Sequence, residues 1–251
     1  MEPRGRTALV TGGAHRVGKA IALALAGSGA HVAVSYHSSA DAAATTVEEL
    51  RDLGVNAMAV RCDVADAGQV DAMVTRVEQE LGGVDILVNS ASQFAPDPFP
   101  PTDHAVWHRT FDVVLHGAYY CAGRVAPGML EREGGVVVNI VDLSAWQPWP
   151  DRGAHSVAKA ASLALVRQLA VELAPHVRAA AVALGPTIPP VHFDDDQVAR
   201  LRDRTLLGQW AGGEEVGRAV RYLVEADAVT GECLTVDGGE QYGHVRDRFL
   251  R

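Results

Sequence analysis

Short apolar runs rich in β-branched residues alternate with longer helical stretches along almost the whole chain. The runs predict strands at Thr7–Thr11, His31–Ser35, Ala57–Arg61, Asp85–Asn89, Gly135–Val141, Arg178–Leu184 and Leu234–Val236. Helices are predicted over about Val17–Ala26, Asp41–Leu53, Gln69–Leu81, Asp103–Ala126, Ser156–Leu173 and Glu214–Glu225. Continuously apolar strands separated by helices are typical of a parallel sheet that is buried on both faces. The pattern therefore predicts an α/β fold, a single doubly wound domain over residues 1–251 with about seven parallel strands flanked by helices.

Two segments of this pattern have features of their own. The helix over about 103–126 begins with Thr102 or Asp103 as its N-cap and ends at Pro127-Gly128. The stretch 185–207 is long and irregular, and it carries three prolines and an acidic run at 194–196. A long irregular segment inside a compact domain is usually a lid or a binding segment. We therefore predict a substrate loop at about 185–207.

Composition and charge narrow the class of protein. The chain has 251 residues, 48% of them hydrophobic and 21% charged, with a net charge of −9. This acidic balance argues against a nucleic-acid-binding protein. The three cysteines are far apart and predict free thiols in a reducing compartment. No apolar run is long enough to span a bilayer and the N-terminus has no signal-peptide core, so we expect a soluble, cytoplasmic protein without membrane contact.

A glycine-rich turn follows the first predicted strand and leads directly into a helix. Gly12 and Gly18 allow a tight turn and close helix packing, and the helix N-terminus offers free N–H groups to a diphosphate. The second strand ends without the acidic residue that an NAD site uses for the ribose 2′-hydroxyl. Ser38, Ser39 and the nearby Arg16 suit a 2′-phosphate instead. The turn therefore predicts NADP(H) rather than NAD, unless Ser39 is only a helix N-cap and Arg16 a solvated charge.

Two polar residues at strand ends fit an adenosine pocket. Asp63 follows the third strand, and Asn89 ends the fourth. In an open α/β sheet, ligands lie beyond the carboxyl ends of the strands, where the strand order reverses. Each residue taken alone is equally typical of a turn.

Several short motifs in this order resemble the short-chain dehydrogenase/reductase family, whose fold is of Rossmann type. They are TGGAHRVG at 11–18, RCDV at 61–64, VNSAS at 88–92, VVNIVD at 137–142, LGPTI at 184–188 and the ending VDGG at 236–239. The resemblance covers essentially the whole chain. Arg16, the YHSS segment at 36–39, Asp142 and RTLLG at 204–208 further resemble the pteridine reductase branch.

The resemblance implies a set of functional residues, a cofactor and an assembly. Members of that branch are NADPH-dependent tetramers that reduce dihydropterins or related carbonyl and imine compounds, so a homotetramer is expected here. Asp142 and Lys159 belong to the implied reaction centre. The implied cofactor-binding residues are Gly12, Arg16, Val17, His37, Ser38, Ser39, Asp63, Asn89, Ser90, Ala91, Lys159, Pro186 and Thr187.

The chain departs from the family pattern at two positions that concern proton delivery. The family's proton donor is a tyrosine four residues before the lysine, and that position is His155 here. The family's asparagine in the long helix, which holds a water on the proton path, is replaced by Val114. Lys159 is nevertheless retained in a chain that has only one other lysine, Lys19.

These departures leave two hypotheses for the function. A neutral imidazole is a very poor acid, so His155 would have to donate its proton as an imidazolium. Asp142 lies thirteen residues earlier, and a carboxylate there would orient the ring and stabilise its charged form. We therefore predict an NADPH-dependent reductase with Asp142, His155 and Lys159 as catalytic residues. The alternative is a catalytically silent NADP(H)-binding oligomer with a sensing or scaffolding role.

Other features have weaker interpretations. His104 and His108 lie four residues apart but lack a third ligand, so no metal site is predicted. Aromatic residues in the loops after the fourth and fifth strands either pack in the core or line a flat pocket for a ring-shaped substrate; these are Phe94, Phe99, Trp146 and Trp149. The basic tail 243–251 is of a kind that can reach a neighbouring subunit in this family.

Overall fold

Seven parallel strands form one sheet in the computed structural model, which describes residues 1–190 and 193–243. The strands are β1 (Thr7–Thr11), β2 (His31–Tyr36), β3 (Ala57–Arg61), β4 (Val84–Asn89), β5 (Gly135–Asp142), β6 (Val177–Leu184) and β7 (Cys233–Val236). Their order across the sheet is β3-β2-β1-β4-β5-β6-β7. All of the strand pairs are parallel, from the register of Val32 with Ala57 at one edge to that of Val182 with Leu234 at the other. The predicted doubly wound sheet is confirmed.

Helices cover both faces of the sheet. They are α1 (Arg16–Gly27), α2 (Ala40–Asp52), α3 (Ala67–Leu81), α4 (Ala105–Phe111), α5 (Gly117–Glu131), α6 (Gly153–Glu172), α7 (Asp195–Arg204) and α8 (Gly212–Glu225). Successive residues of a strand point to opposite faces, so each strand contributes to two cores. Leu9 is buried with α3, α5 and α6 on one face, whereas Ala8 and Val10 are buried with α1 and α8 on the other.

The long helix predicted to end at Pro127-Gly128 is interrupted earlier and extends further. A π-helical turn at Asp112–His116 joins α4 to α5, and α5 continues through Pro127 to Glu131. Proline removes one helical hydrogen bond, which normally ends a helix. Met129, in the last turn, is fully buried in the core, and its packing there outweighs the lost bond.

The segment predicted as one irregular loop at 185–207 contains a helix, α7. Asp194 caps its start, since the carboxylate accepts from the Gln197 N–H and the Gln197 side chain accepts from the Asp194 N–H. The acidic run thus supplies a capping box rather than irregular structure. Residues 191 and 192 and the tail from 244 onward, including the proposed contact to a neighbouring subunit, lie outside the described residues.

The strand order reverses between β1 and β4. In such sheets the crevice beyond the carboxyl ends of the strands is the usual ligand site. The turn after β1, the ends of β2 to β5 and the start of α6 all meet at this edge. Among the helices that the structure describes, none combines the length and the apolar character needed to cross a bilayer.

Candidate active site

The turn between β1 and α1 brings the backbone close to neighbouring chain segments. Gly12 has a positive φ of 63°, and a Cβ built there would lie 3.0 Å from Cα of Ala91. A Cβ at Gly18 would lie only 2.3 Å from the carbonyl oxygen of Gly12. Glycine is therefore needed at both positions. The resulting cradle fits a diphosphate at the N-terminus of α1, as the sequence predicts.

A cavity of about 270 Å³ opens beside this turn, beyond the ends of β1 to β4. We call it the β2 cavity. Six of the predicted cofactor-binding residues line it: Gly12, His37, Ser38, Ser39, Asp63 and Ala91. The predicted set did not include two basic residues in the wall, His15 and Arg109. His15 could have been predicted, because it is a basic residue within the glycine turn. Nothing in the sequence around Arg109 predicts that it lies in this wall.

The side chain of Arg16 does not lie at the 2′-phosphate site, where the sequence predicts it. Its backbone is left-handed, with φ of 52°, and its guanidinium donates to the carbonyl oxygens of Ile188 at 2.7 Å and Pro189 at 3.1 Å. It is not among the residues that line the β2 cavity with Ser38 and Ser39. Each terminal nitrogen of the guanidinium donates to one backbone carbonyl in the segment after β6, so Arg16 links the glycine turn to that segment.

Asp63 forms an ion pair within the β2 cavity. Nη1 of Arg109 lies 2.9 Å from Oδ2, and Nη2 donates to Oδ1 at 3.1 Å. Nε2 of His37 lies 3.8 Å from Oδ2. Partial burial raises the pKa of Asp63, but the hydrogen bonds from Arg109 and from the Ala65 N–H outweigh burial and hold the pKa below its ordinary value. The carboxylate is therefore charged at neutral pH.

The remaining predicted cofactor residues lie outside the β2 cavity. Asn89 is buried, where its Nδ2 donates to Oδ1 of Asn139 at 2.9 Å. The N–H groups of Ser90 and Ala91 donate to Oγ1 of Thr11, which fixes the loop after β4 against the end of β1. Val17 packs against the core. Pro186 and Thr187 line a second cavity. Lys159 is buried beneath β5, where it is hydrogen-bonded to Ile140.

Asp142 and His155, which the sequence analysis pairs, are hydrogen-bonded. Asp142 ends β5 and His155 lies in the first turn of α6, with Nε2 2.7 Å from Oδ2. The other oxygen, Oδ1, accepts from the N–H of Ser144 at 3.0 Å and from its hydroxyl. Burial raises the pKa of Asp142, but the hydrogen bond from His155 and the charge of Lys159 outweigh burial and lower the pKa overall.

The second ring nitrogen of His155 also faces an acceptor. Nδ1 lies 3.0 Å from the carbonyl oxygen of Gln93, and a carbonyl can only accept. Both hydrogen bonds of the ring form together only when it carries a proton on each nitrogen. The ring is 3% exposed, with Phe94 edge-on at 4.8 Å and Trp149 stacked at 6.1 Å between centroids. Acceptors therefore face both ring nitrogens of His155 in a nearly closed site.

Lys159 lies one helical turn after His155 on α6. Its ammonium donates to the carbonyl oxygen of Ile140 at 2.8 Å, and the residue is 4% exposed. Burial lowers its pKa, and the Asp142 carboxylate opposes part of that decrease. Asp142 is thus the shared partner of the two basic groups.

A second cavity of about 560 Å³ lies next to the Asp142–His155 pair, since Phe94 and Trp149 in its wall pack on the His155 ring. We call it the aromatic cavity, because Phe94, Trp149, Phe193 and Trp210 line it together with Pro186 and Thr187. Two of the four loop aromatics predicted for a flat pocket are therefore present. The other two are not in its wall: Trp146 is 48% exposed and Phe99 is 93% exposed.

His155 lines neither cavity, but its ring contacts residues of both. Gln93, which accepts from Nδ1, lines the β2 cavity, whereas Phe94 and Trp149, which pack on the ring, line the aromatic cavity. His104 and His108 lie elsewhere, 6.3 Å apart between ring centroids, and no three metal-ligating side chains cluster in residues 1–190 and 193–243.

This chain is similar in sequence and structure to several known oxidoreductases. A family model for Enoyl-(Acyl carrier protein) reductase matches residues 12–241. The chain is 33% identical to L-rhamnose 1-dehydrogenase (NAD(P)(+)) of a Sphingomonas species, covering 94% of this chain and 96% of that protein. It is 30% identical to 3-oxoacyl-[acyl-carrier-protein] reductase FabG of Staphylococcus epidermidis, covering 93% and 98%. FolM Alternative dihydrofolate reductase 1 from Brucella suis, solved with NADP, superimposes with a TM-score of 0.89 at 34% identity, covering 96% of each chain.

Proposed function

Because the chain belongs to the short-chain dehydrogenase/reductase family, we propose that it is an NADP(H)-dependent oxidoreductase that reduces a carbonyl or imine of a cyclic compound of pterin-like type. The cofactor is supported by the glycine cradle, by the serines at the end of β2 and by the NADP-bound relative. The substrate class is supported by the aromatic residues that line the aromatic cavity, Phe94, Trp149, Phe193 and Trp210.

The observation that carries this proposal is the position of His155, which is hydrogen-bonded to Asp142 and contacts residues that line the two cavities. A reduction of this kind needs a hydride and a proton at the two ends of one double bond. The diphosphate cradle would hold NADPH, which supplies the hydride when bound. His155 is assigned the proton, and Asp142 stabilises the protonated ring.

Proton delivery by His155 requires a change of hydrogen-bond partner. Both N–H groups are engaged, one by the Asp142 carboxylate and the other by the Gln93 carbonyl. The substrate heteroatom takes the place of the Gln93 carbonyl as acceptor, because that bond is made to a loop and is not reinforced by charge. The N–H bond at Nδ1 breaks, the proton passes to the heteroatom, and the ring remains bound to Asp142 as a neutral imidazole. Lys159, buried beneath Asp142, keeps the carboxylate charged throughout.

The rival function is a catalytically silent NADP(H)-binding protein that acts through its oligomer. It is favoured by the same two hydrogen bonds, since an imidazole that is 3% exposed and bonded at both nitrogens presents no free N–H to a ligand. In that case Asp142, His155 and Lys159 form a structural cluster.

A turnover assay separates the two functions. NADPH oxidation is followed with a panel of dihydropterins, quinones and diketones, using the parent chain, Asp142→Ala and Lys159→Ala. A reductase turns over at least one compound and loses that activity in both variants. Lys19→Ala is the matched control, because Lys19 pairs with Glu49 away from the reaction centre. Tight NADPH binding without turnover across the panel would favour the silent binder.

We also propose a homotetramer in the cytoplasm. Large apolar side chains remain exposed on α5 and α6: Tyr119 at 59%, Val157 at 47% and Val171 at 76%. Contacts between copies would bury them. The three cysteines are free, which accords with a reducing compartment. Light scattering after size-exclusion chromatography measures the assembly, and a monomeric mass would contradict the tetramer.

A further inference from the structure

An ion pair lies in the wall of the aromatic cavity and takes no part in the proposed proton transfer. Nη2 of Arg204, the last residue of α7, lies 2.9 Å from Oε1 of Glu240, which begins a short helical turn after β7. Both residues line the cavity together with its aromatic side chains. Among the described residues of that wall, these two are the only ones with charged side chains.

The two partners of this pair are buried to very different extents. The side chain of Glu240 is 8% exposed, whereas that of Arg204 is 61% exposed. Burial raises the pKa of the Glu240 carboxyl, the Arg204 guanidinium opposes part of that rise, and the charge of Asp237 adds to it. A buried carboxylate is stabilised by every further N–H donor that reaches it. Arg204 lies mostly in solvent, so it can turn away from the carboxylate with little loss of burial.

Glu240 is held in place by a closely packed turn. The carboxylate of Asp237 accepts from the N–H groups of Gly239 and Gln241, the two neighbours of Glu240, at 2.9 and 3.0 Å. A Cβ built at Gly239 would lie 2.9 Å from Cβ of Leu206, so the turn packs tightly on the segment after α7. The position of the carboxylate is therefore fixed before a ligand binds.

The contact with Arg204 shows which kind of group the Glu240 carboxylate accepts. A guanidinium is a flat N–C–N fork, and a carboxylate can accept two parallel N–H bonds from such a fork. The edge of a ring compound that contains a cyclic amidine or guanidine presents the same fork. Phe94, Trp149 and Trp210 line the same cavity, and aromatic side chains pack favourably on a flat ring.

We propose that Glu240 determines the specificity of the aromatic cavity by binding the cyclic amidine or guanidine edge of a planar heterocycle, with Arg204 displaced into solvent. This inference rests on the proposed function and narrows its substrate class. Quinones and diketones lack such an edge and give the carboxylate no new donor. Phe94 and Trp149 also pack on the ring of His155, so a heterocycle bound at Glu240 occupies a cavity whose wall touches the proposed proton donor.

Pterin and lumazine are a matched pair of probes for this edge. Both are flat bicyclic rings of the same size, and lumazine carries an oxygen in place of the 2-amino group of pterin. Lumazine therefore offers one N–H donor where pterin offers two. Fluorescence titration at pH 7 with saturating NADP⁺ gives the dissociation constant of each probe for the parent chain, Glu240→Gln and Arg204→Gln.

We expect the parent to bind pterin at least about tenfold tighter than lumazine, because hydrogen bonds to a charged acceptor are the stronger ones. In Glu240→Gln the preference should fall to within about threefold, since the amide is neutral and has one acceptor oxygen instead of two. Arg204→Gln should keep the preference, because the guanidinium competes with the ligand for Glu240.

Glu225→Gln is the matched control, since Glu225 pairs with Arg221 on α8 at 2.7 Å and does not line the cavity. This variant should keep the preference of the parent. A parent that binds neither probe or binds both equally, or a Glu240→Gln variant with an unchanged preference, would overturn the inference. Loss of pterin binding in Arg204→Gln would also overturn it, because Arg204 would then hold the ligand. Selective pterin binding by a parent that oxidises NADPH with no compound would contradict the proposed function and still confirm the binding site.

Discussion

His155 donates a hydrogen bond from Nε2 to Oδ2 of Asp142 across 2.7 Å, and this bond joins the first turn of α6 to the end of β5. The Oδ2 oxygen of Asp142 accepts from the ring of His155, and the Oδ1 oxygen accepts from the N–H of Ser144. This hydrogen bond has measurable consequences for the activity of the protein and for its stability in acid.

The first prediction concerns the proton that His155 carries. In His155→Phe the chemical step should slow by about 10²-fold to 10⁴-fold, the usual contribution of a general acid. NADPH affinity should stay within a few-fold, because the ring is assigned to the proton and not to the cofactor. His155→Tyr should retain activity, since a phenol next to Lys159 restores a donor. Single-turnover kinetics measure the rate of the chemical step in both variants. Equal rates for His155→Phe and the parent would show that His155 does not donate the proton.

The second prediction concerns acid stability and Asp142. The pKa of this carboxyl is lowered, with the His155 hydrogen bond and the Lys159 charge outweighing burial. Its charge therefore contributes stability that is fully present above the ordinary pKa near 3.9 and is lost as pH falls through the lower folded value. Asp142→Asn should cost about 3 kcal/mol at pH 7, because Lys159 loses its buried counter-charge.

Urea unfolding of Asp142→Asn and the parent from pH 7 down to pH 3 provides the measurement. The difference in unfolding free energy should shrink below about pH 4, as the parent carboxylate is protonated. Asp71→Asn serves as control, because Asp71 is an exposed acid paired with Arg124 on the surface. A difference between parent and Asp142→Asn that stays constant with pH would show that the charge of Asp142 does not stabilise the fold.

The third prediction concerns Arg16. Its guanidinium bonds to Ile188 and Pro189, so Arg16→Ala should leave the preference for NADPH over NADH within about threefold. The variant should instead loosen the segment after β6. The N–H groups of Ala211 and Gly212 donate to Pro186 and Thr187 and report on that segment. Hydrogen exchange at both amides should be faster in the variant. If amide exchange in Arg16→Ala were unchanged but the preference for NADPH over NADH were lost, Arg16 would have to bind the 2′-phosphate after all.

The fourth prediction concerns the glycine turn. In Gly18→Ala the new Cβ would lie 2.3 Å from the backbone oxygen of Gly12, which no side-chain movement relieves. The unfolding free energy should fall by about 1–3 kcal/mol, and NADPH affinity should decrease because the cradle shifts. Gly27→Ala in the same helix is the matched control, since a Cβ there meets nothing within 4 Å. Thermal unfolding and NADPH titration measure both variants, and equal stability of the two would contradict the packing argument.

The reaction centre was predictable because both of its partners are fixed by local structure. Asp142 ends the most apolar strand, and His155 lies thirteen residues later at the start of a helix, one turn before Lys159. A strand end and the next helix start meet at the same edge of a doubly wound sheet. The two side chains could be paired in advance because thirteen residues is the spacing at which the family that the chain resembles places its strand-five residue against its proton donor.

The wall of the β2 cavity was only partly predictable. Asp63 follows β3, but its partner Arg109 comes from α4, 46 residues further along the chain. His15 and Arg16 are adjacent in the sequence, yet one lines the cavity and the other bonds to residues 172 and 173 positions away. No periodicity decides between two neighbouring basic residues in a turn.

The sequence by itself determined the strands, their parallel arrangement and the glycine turn, because apolar periodicity and strand-end positions are local properties. The Asp142–His155 pair followed from the spacing of the family that the sequence resembles. Only the tertiary structure decided where Arg16 points, that Arg109 neutralises Asp63, and that both nitrogens of His155 are engaged. Each of these depends on an acceptor or charge supplied by a distant segment. The direction of a long polar side chain follows from the partners that the fold brings within reach, and these are known only once the segments have packed.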